Sequence, residues 1–322
     1  MKNISIWKDS IKLKKFNKLE SDKFVDVLII GGGITGISTL YHLLDSNKKI
    51  MLVEQNKIGF STTGNSTGKL NYLQNDIIDK IRDNYNDSVT LNYINSQIDT
   101  ISEMVNLIKK NKIDCDLEKV NSYIYTNNLN EVEKVKELEN FLLDNNIKTY
   151  HKNLDIVDFK YMFYVKDTYL INPIKFLYGL INGLEDFIYE DTSIKKIEEC
   201  DKGYICYTDN FKIKAKYVVI ASHYPYFNIP FMFPLKGHLE KSYLSASKCN
   251  NYKLSLISYS NPFISIRNYK DYLIYLSNSR SIDKSVCDKK NFNELLKKVS
   301  DLNLKPDYLW SNIDIMTNDS LP

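Results

Sequence analysis

The chain has 322 residues, 43% hydrophobic and 26% charged, the balance of a globular protein long enough for two cores. A net charge of +3 is too small to point to nucleic acid or an anionic membrane as partner. Five cysteines without CxxC spacing and four histidines without metal-ligand spacing argue against a metal site, an iron–sulfur centre or a complete disulfide framework.

Met1 to Phe16 alternates charged and apolar residues and lacks the apolar core of a signal peptide. No apolar run reaches the roughly 18 residues of a membrane helix, because Asp26, three glycines, Thr35 and Ser38 interrupt Phe24 to Leu44. The default location is the cytoplasm.

Val25 to Ile30 is a nearly continuous apolar run, the pattern of a buried parallel strand. Apolar residues at Ile34, Ile37, Leu40, Tyr41 and Leu44 then have helical spacing, and Lys49 to Glu54 is a second strand. Between the first strand and the helix lies Gly31-Gly32-Gly33-Ile34-Thr35-Gly36, a G-x-G-x-x-G turn in a βαβ opening. Each part has a physical task. Gly31 permits the tight turn, Gly33 lets the backbone approach a pyrophosphate, and Gly36 lets helix and strand pack closely. The helix start offers unpaired N–H groups and partial positive charge to phosphates. Glu54, about 20 residues beyond the turn, can accept hydrogen bonds from ribose hydroxyls and disfavours a 2′-phosphate, so NADP is not expected. A bare glycine turn with a surface Glu is the plainer alternative.

The turn alone serves FAD and NAD equally. Residues 59–68, almost all Gly, Ser, Thr and Asn, read as a polar loop that can supply donors to a second phosphate and a ribityl chain; a simple surface loop fits the composition as well. It is not a P-loop, because Gly64 and Gly68 are too close and Lys69 precedes Leu70.

Further along, Val89 to Lys110 and Glu131 to Asn145 read as amphipathic helices. Asn172-Pro173 starts a helix running to about Leu184, with Asn as cap and Pro at the first position. Strands are expected at Phe187–Glu190, Ser193–Glu199, Tyr204–Thr208 and Lys212–Ser222, then at Phe263–Arg267 and Tyr272–Leu276. Asn291 to Val299 reads as a helix. The run Tyr217 to Ser222 suits a return to the nucleotide sheet after an excursion over 80–165.

With these residues in view, the sequence resembles the D-amino-acid oxidase and glycine oxidase superfamily of FAD-dependent oxidoreductases, nearest to its γ-glutamylputrescine oxidase-like branch. Some members of that branch carry a C-terminal Rieske domain, which the cysteine count does not lead one to expect here. The resemblance spans nearly the whole chain. Its carriers are Ser5-Ile6-Trp7, Asp26 to Gly36, Val53-Glu54 with Ile58-Gly59, Thr63 to Lys69, Ile113 to Asp116, Ile194 after Asp191-Thr192, and Val218 to Pro225. Ser242-Tyr243, Ser265-Ile266-Arg267 and Trp310-Ser311 with Asp314 continue it.

The resemblance implies an α/β fold: a Rossmann-like FAD-binding domain, 1–79 and 166–224, with an inserted α+β substrate domain, 80–165 and 225–309. It implies that 310–322 starts an incomplete return to the FAD domain, and that the chain stops before the fold is finished. It places Gly31, Gly33 and Gly36 at the pyrophosphate, Glu54 on the adenosine ribose, Ser61 and Thr62 along the diphosphate and ribityl chain, and the Ile194 backbone at the adenine. Ile34, Thr35, Gln55, Thr63 and Ala221 complete the expected cofactor set. The implied reaction is oxidation of an amine or amino acid by hydride transfer to the flavin. The chain departs from its relatives at Leu276 to Arg280, where they tend to have a Gly-Gly strand end and a His. A truncated, non-catalytic FAD- or ADP-binding remnant and an NAD-dependent dehydrogenase are the alternatives.

For catalysis the residues nominate candidates only. Arg267, ending an apolar strand, could hold a substrate carboxylate bidentately, or form a surface ion pair. His223 follows the nucleotide strand, where strand ends meet ligands. Tyr243, His238 and Lys236 are weaker candidates, and no general base is named.

Overall fold

The computed structural model describes residues 1–224, 236–249, 253–259, 263–282 and 288–318. The chain opens with a one-turn helix, α1 (Ile6–Asp9), capped by Ser5, then β1 (Lys23–Ile30), α2 (Ile34–Leu43) and β2 (Ile50–Val53). The polar loop follows, and leads to β3 (Lys69–Leu70), α3 (Asn75–Asn84) and α4 (Asp87–Lys110). α4 starts ahead of the expected Val89 because the Asn86 side chain accepts the Val89 N–H at 3.0 Å. α3 escapes the sequence reading: its apolar face is only Ile77, Ile78 and Ile81 among charged residues.

β4 (Glu118–Thr126), α5 (Val132–Asp144) and β5 (Tyr161–Leu170) come next, then α6 (Pro173–Leu180). Asn172 caps α6 by accepting the Lys175 N–H at 3.1 Å, with Pro in the first turn as expected, although the helix ends at Leu180 rather than near Leu184. β6 (Ile188–Tyr189), β7 (Lys196–Cys200), β8 (Gly203–Tyr207) and β9 (Lys212–Ile220) follow. The last part holds β10 (Gly237–Lys248), β11 (Leu254–Ser258), β12 (Ile264–Tyr269), β13 (Tyr272–Ser281), α7 (Asp288–Asp301) and β14 (Pro306–Thr317).

Among the described residues these strands make two sheets. The smaller has the order β6-β2-β1-β9-β8-β7. Its first four strands are parallel, with Ile30 opposite both Val53 and Ile220, and β8 and β7 extend it antiparallel. The near-continuous apolar runs of β1 and β2 follow from burial on both faces. One face packs Val27, Ile29 and Leu52 against α2 and α6 through Ile37, Leu40 and Leu177. The other packs Leu28, Met51 and Val53 against Ile194, Cys206 and Ile213.

The larger sheet has the order β14-β10-β13-β12-β11-β4-β5-β3 and is mostly antiparallel, with β4 and β11 parallel. One face carries Leu256, Ile266, Leu273 and Tyr275 under Leu295 and Val299 of α7. On the opposite face, toward the β4–β5 end, Ile124, Phe163 and Val165 pack under α4 and α5. The face turned to the smaller sheet carries Leu244, Ile274 and Trp310 against Ile6, Trp7 and Ile174. Trp7 is the fixture of that joint. It is fully buried, its Nε1 donates to the Ser66 carbonyl at 2.8 Å, and it meets Tyr269 edge-on at 4.6 Å between centroids. Burial of such a ring is worth about 2–3 kcal/mol.

Two chain segments differ from expectation. β5 crosses the expected division at 165/166 and lies wholly in the larger sheet, paired with β4 and β3. Residues 306–317 do not turn back to the nucleotide sheet; they form β14 along β10, whose edge groups would otherwise lack partners. Residues 319–322 lie outside the described part.

Candidate active site

The glycine turn is wedged against the end of β9. Gly31 has φ of +113°, and a Cβ there would lie 2.4 Å from the Ala221 carbonyl oxygen. A Cβ on Gly36 would lie 1.9 Å from the Gly31 oxygen, so helix and strand approach as closely as the motif implies. Gly33 differs. It caps α2 with φ of −81°, and a Cβ there would meet only Thr63 Oγ1 at 3.2 Å. Its open side faces a cleft.

That helix start suits an anion. Its cap residue Gly33 has no side chain, its first turn holds no acidic residue, and Thr63 Oγ1 takes the Ile34 N–H at 3.0 Å. The polar loop is tied to the turn through the Gly59 N–H, which donates to the Gly32 carbonyl at 2.9 Å. Glu54 joins the two from below: Oε2 accepts the Gly32 N–H at 2.7 Å and Oε1 accepts the Asn56 N–H at 2.8 Å. Burial raises the Glu54 pKa above the usual carboxylate range, and nearby Glu190 adds to this, while these N–H groups oppose it.

The cleft has a volume of about 340 Å³, at the small end for organic ligands. Gly31, Gly33, Ile34 and Thr35 form its floor, with Glu54 and Gln55 on one side and Ser61, Thr62 and Thr63 on another. Ile194 and Ala221 close it. The structure thus brings together the expected cofactor set, apart from Gly36, which stands behind the turn. The sequence reading missed Phe60, Thr192 and Ser222, which also line the cleft. Thr192 had a signal in its position two residues before Ile194; its N–H donates to the Glu54 carbonyl at 2.9 Å.

His223 lines the cleft where β9 ends, in a left-handed conformation with φ of 69°. Burial lowers its pKa, opposed by a hydrogen bond to the Ile313 backbone. Thr62 Oγ1 donates to the same Ile313 carbonyl at 3.1 Å, so β14 borders this end.

Arg267 is corrected. It is 1% exposed, and neither a surface ion pair nor a carboxylate clamp. Nη1 donates to the carbonyls of Thr67, Gly68 and Ile171 at 2.7, 2.7 and 3.0 Å, and Nε to that of Asn268 at 2.9 Å. Burial pushes its pKa down to about 9. It fastens the polar loop to the larger sheet. Tyr243 is corrected too: it is fully buried on the α7 side, donating to Asp288 at 2.7 Å and accepting from Asn291 at 3.0 Å. Alternation along β10 puts it on the face away from the cleft. His238 is mostly exposed, 3.4 Å from Glu240, and Lys236 directly precedes β10, its carbonyl accepting the Asn318 N–H.

Residues 26–302 match the family described as FAD dependent oxidoreductase, DAO. A Bacillus subtilis (strain 168) protein named for a Rieske 2Fe-2S iron–sulfur centre, YhfW, is 24% identical over 98% of this chain and 65% of its own length. Gamma-glutamylputrescine oxidoreductase of Escherichia coli (strain K12) is 24% identical over 66% of this chain and 52% of its own. The chain thus spans less than two thirds of each of these relatives. The fold matches glycine oxidase from Geobacillus kaustophilus with a TM-score of 0.75 at 15% identity, over 93% of this chain and 85% of that one. L-amino acid deaminase from Proteus myxofaciens in complex with anthranilate has a TM-score of 0.75 at 12% identity, over 100% of this chain and 86% of that one. A family match over most of the chain sets aside the nicotinamide reading of the glycine turn and shows that this chain belongs to the DAO family of FAD-dependent oxidoreductases.

Proposed function

We propose that this chain oxidises the C–N bond of an amine or amino acid with FAD held in the cleft formed by the glycine turn and the polar loop. The observation that carries the reading is the start of α2, open at Gly33 to a cleft that runs along the polar loop. Glycine oxidase and gamma-glutamylputrescine oxidoreductase among the similar proteins support this reaction class.

In this reading Gly33 and Thr35 meet the pyrophosphate with backbone N–H groups, and Gly31 and Ile34 line it, the Gly31 N–H being held by the Val53 carbonyl and that of Ile34 by Thr63. Glu54 and Gln55 face the adenosine ribose, and the Ile194 backbone meets the adenine. Ser61, Thr62, Thr63 and Ala221 follow the diphosphate and ribityl chain. Bound FAD supplies the hydride acceptor. The protein's part is to orient the substrate on the larger sheet and exclude water. The smaller-sheet strands then belong to the FAD-binding part, and the larger-sheet strands, β5 and β14 included, to the substrate part.

The test is to purify the protein, read flavin in its visible spectrum, and add a panel of amines and amino acids without oxygen. Bleaching of bound flavin by a member of the panel is expected. Bound flavin that none of them reduces would leave the non-catalytic alternative in its place.

A further inference from the structure

Beside the cleft, β14 and β10 present one polar patch. Trp310, Asn312 and Asp314 alternate along β14, and in register opposite them on β10 stand Leu244, Ser242 and Glu240. Trp310 identifies the face, because its Nε1 donates to the Asn65 carbonyl of the polar loop at 2.9 Å and it packs in the cluster of Trp7. Between Asn312 and Asp314 lies Ile313, whose carbonyl is held by Thr62 at the end of the cleft. The patch therefore borders the Thr62 side of the cleft.

The patch is built for a cation it does not itself contain. Asp314 accepts a hydrogen bond from Asn312 Nδ2 at 2.9 Å. The influences on its pKa all push up: burial first, then the like charge of Glu240. Turning the Asn312 amide over would set its oxygen against the carboxylate, so this amide sense is the favoured one. Among the described residues Asn312 Oδ1 then has no partner, nor has Ser242 Oγ, in residues only 5% and 3% exposed. Each buried polar atom left unmet is costly. A carboxylate, an amide oxygen and a hydroxyl oxygen together match the three N–H donors and single charge of an alkylammonium group. The arginine on this sheet face described above, Arg267, is committed to backbone carbonyls and offers no clamp for a carboxylate.

We propose that Asp314, with Asn312 Oδ1 and Ser242 Oγ beside it, forms the subsite that receives the ammonium group of a cationic amine substrate. This rests on the amine-oxidising reading above and sharpens it: the substrate class is aliphatic amines with a positive charge at this point, in preference to neutral or anionic analogues of the same length.

The experiment is a calorimetric titration of the purified protein, as isolated, with n-butylamine, n-butanol and butanoate at neutral pH. Flavin content is read beforehand from the visible spectrum, so a colourless protein counts against the FAD reading alone while the titration still judges the subsite. The amine is expected to bind and the other two to bind more weakly. Asp314→Asn is expected to weaken amine binding about ten- to hundredfold, the worth of a charge-assisted contact, with Asp314→Glu recovering part of the loss. Ser242→Ala, which removes one small group, is expected to weaken it about two- to tenfold and serves if the Asp314 variants do not fold. Equal affinity for amine and alcohol in the unaltered protein overturns the proposal. So does wild-type amine affinity in folded Asp314→Asn or, failing that variant, in Ser242→Ala.

Discussion

The Glu54 carboxylate accepts the Gly32 N–H at 2.7 Å, so the acid that ends β2 supports the glycine turn from within the protein. With Oε1 on the Asn56 N–H, it holds turn and loop together before any ligand arrives. Glu54→Ala is therefore expected to lower stability by about 1–3 kcal/mol and to weaken ADP binding as well. Urea unfolding and a calorimetric ADP titration check the two effects. If neither changes, Glu54 has neither role.

Two glycines of one turn should answer differently to substitution. Gly33→Val keeps allowed dihedrals and meets only Thr63, so the protein should fold but lose flavin, because the new side chain occupies the approach to the phosphates. Gly36→Ala drives a Cβ into the Gly31 carbonyl and should cost about 1–3 kcal/mol of stability or more. Thermal unfolding and flavin absorbance after gel filtration separate the two. A folded Gly33→Val protein that keeps its flavin contradicts the phosphate assignment.

Tyr243 and Arg267 should behave as structural residues. Tyr243→Phe strips the hydroxyl from Asp288 and Asn291 and is expected to cost about 1–2 kcal/mol with flavin content unchanged. Arg267→Lys cannot span the four carbonyls that the guanidinium joins, and should cost at least about 2 kcal/mol. Denaturant midpoints measure both. A loss of turnover in Tyr243→Phe without loss of stability would return that residue to the active site.

Asp314 should trade stability for function. Burial, with Glu240 next, raises its pKa from 3.8 to about 6. A carboxyl whose folded pKa is raised contributes its stability fully below the unfolded value and loses it as pH climbs through the folded one. The deficit relative to Asp314→Asn should thus open between pH 3.8 and about 6. About two pKa units at roughly 1.36 kcal/mol each give up to about 3 kcal/mol above that window. Urea unfolding of both proteins at acid and neutral pH checks this. A difference that is absent at neutral pH, or equally large at acid pH, contradicts it.

The sequence by itself determined the nucleotide end of this protein. A buried strand, a glycine turn, a helix and a strand ending in Glu54 are consecutive, so their relation is local and periodicity and glycine positions declare it. Asn172-Pro173 announced α6 for the same reason. What only the tertiary structure decided is the far end of the cleft. Alternation shows which residues of a strand share a face, but not which face meets the cleft, and so Tyr243 and Arg267 looked like candidates until one lay under α7 and the other was spent on carbonyls. The pairing of β14 with β10 was equally invisible, because it joins segments distant in sequence through backbone groups that every residue carries. That register alone sets Asp314 opposite Glu240 and Asn312 opposite Ser242, and makes separate polar residues into one patch.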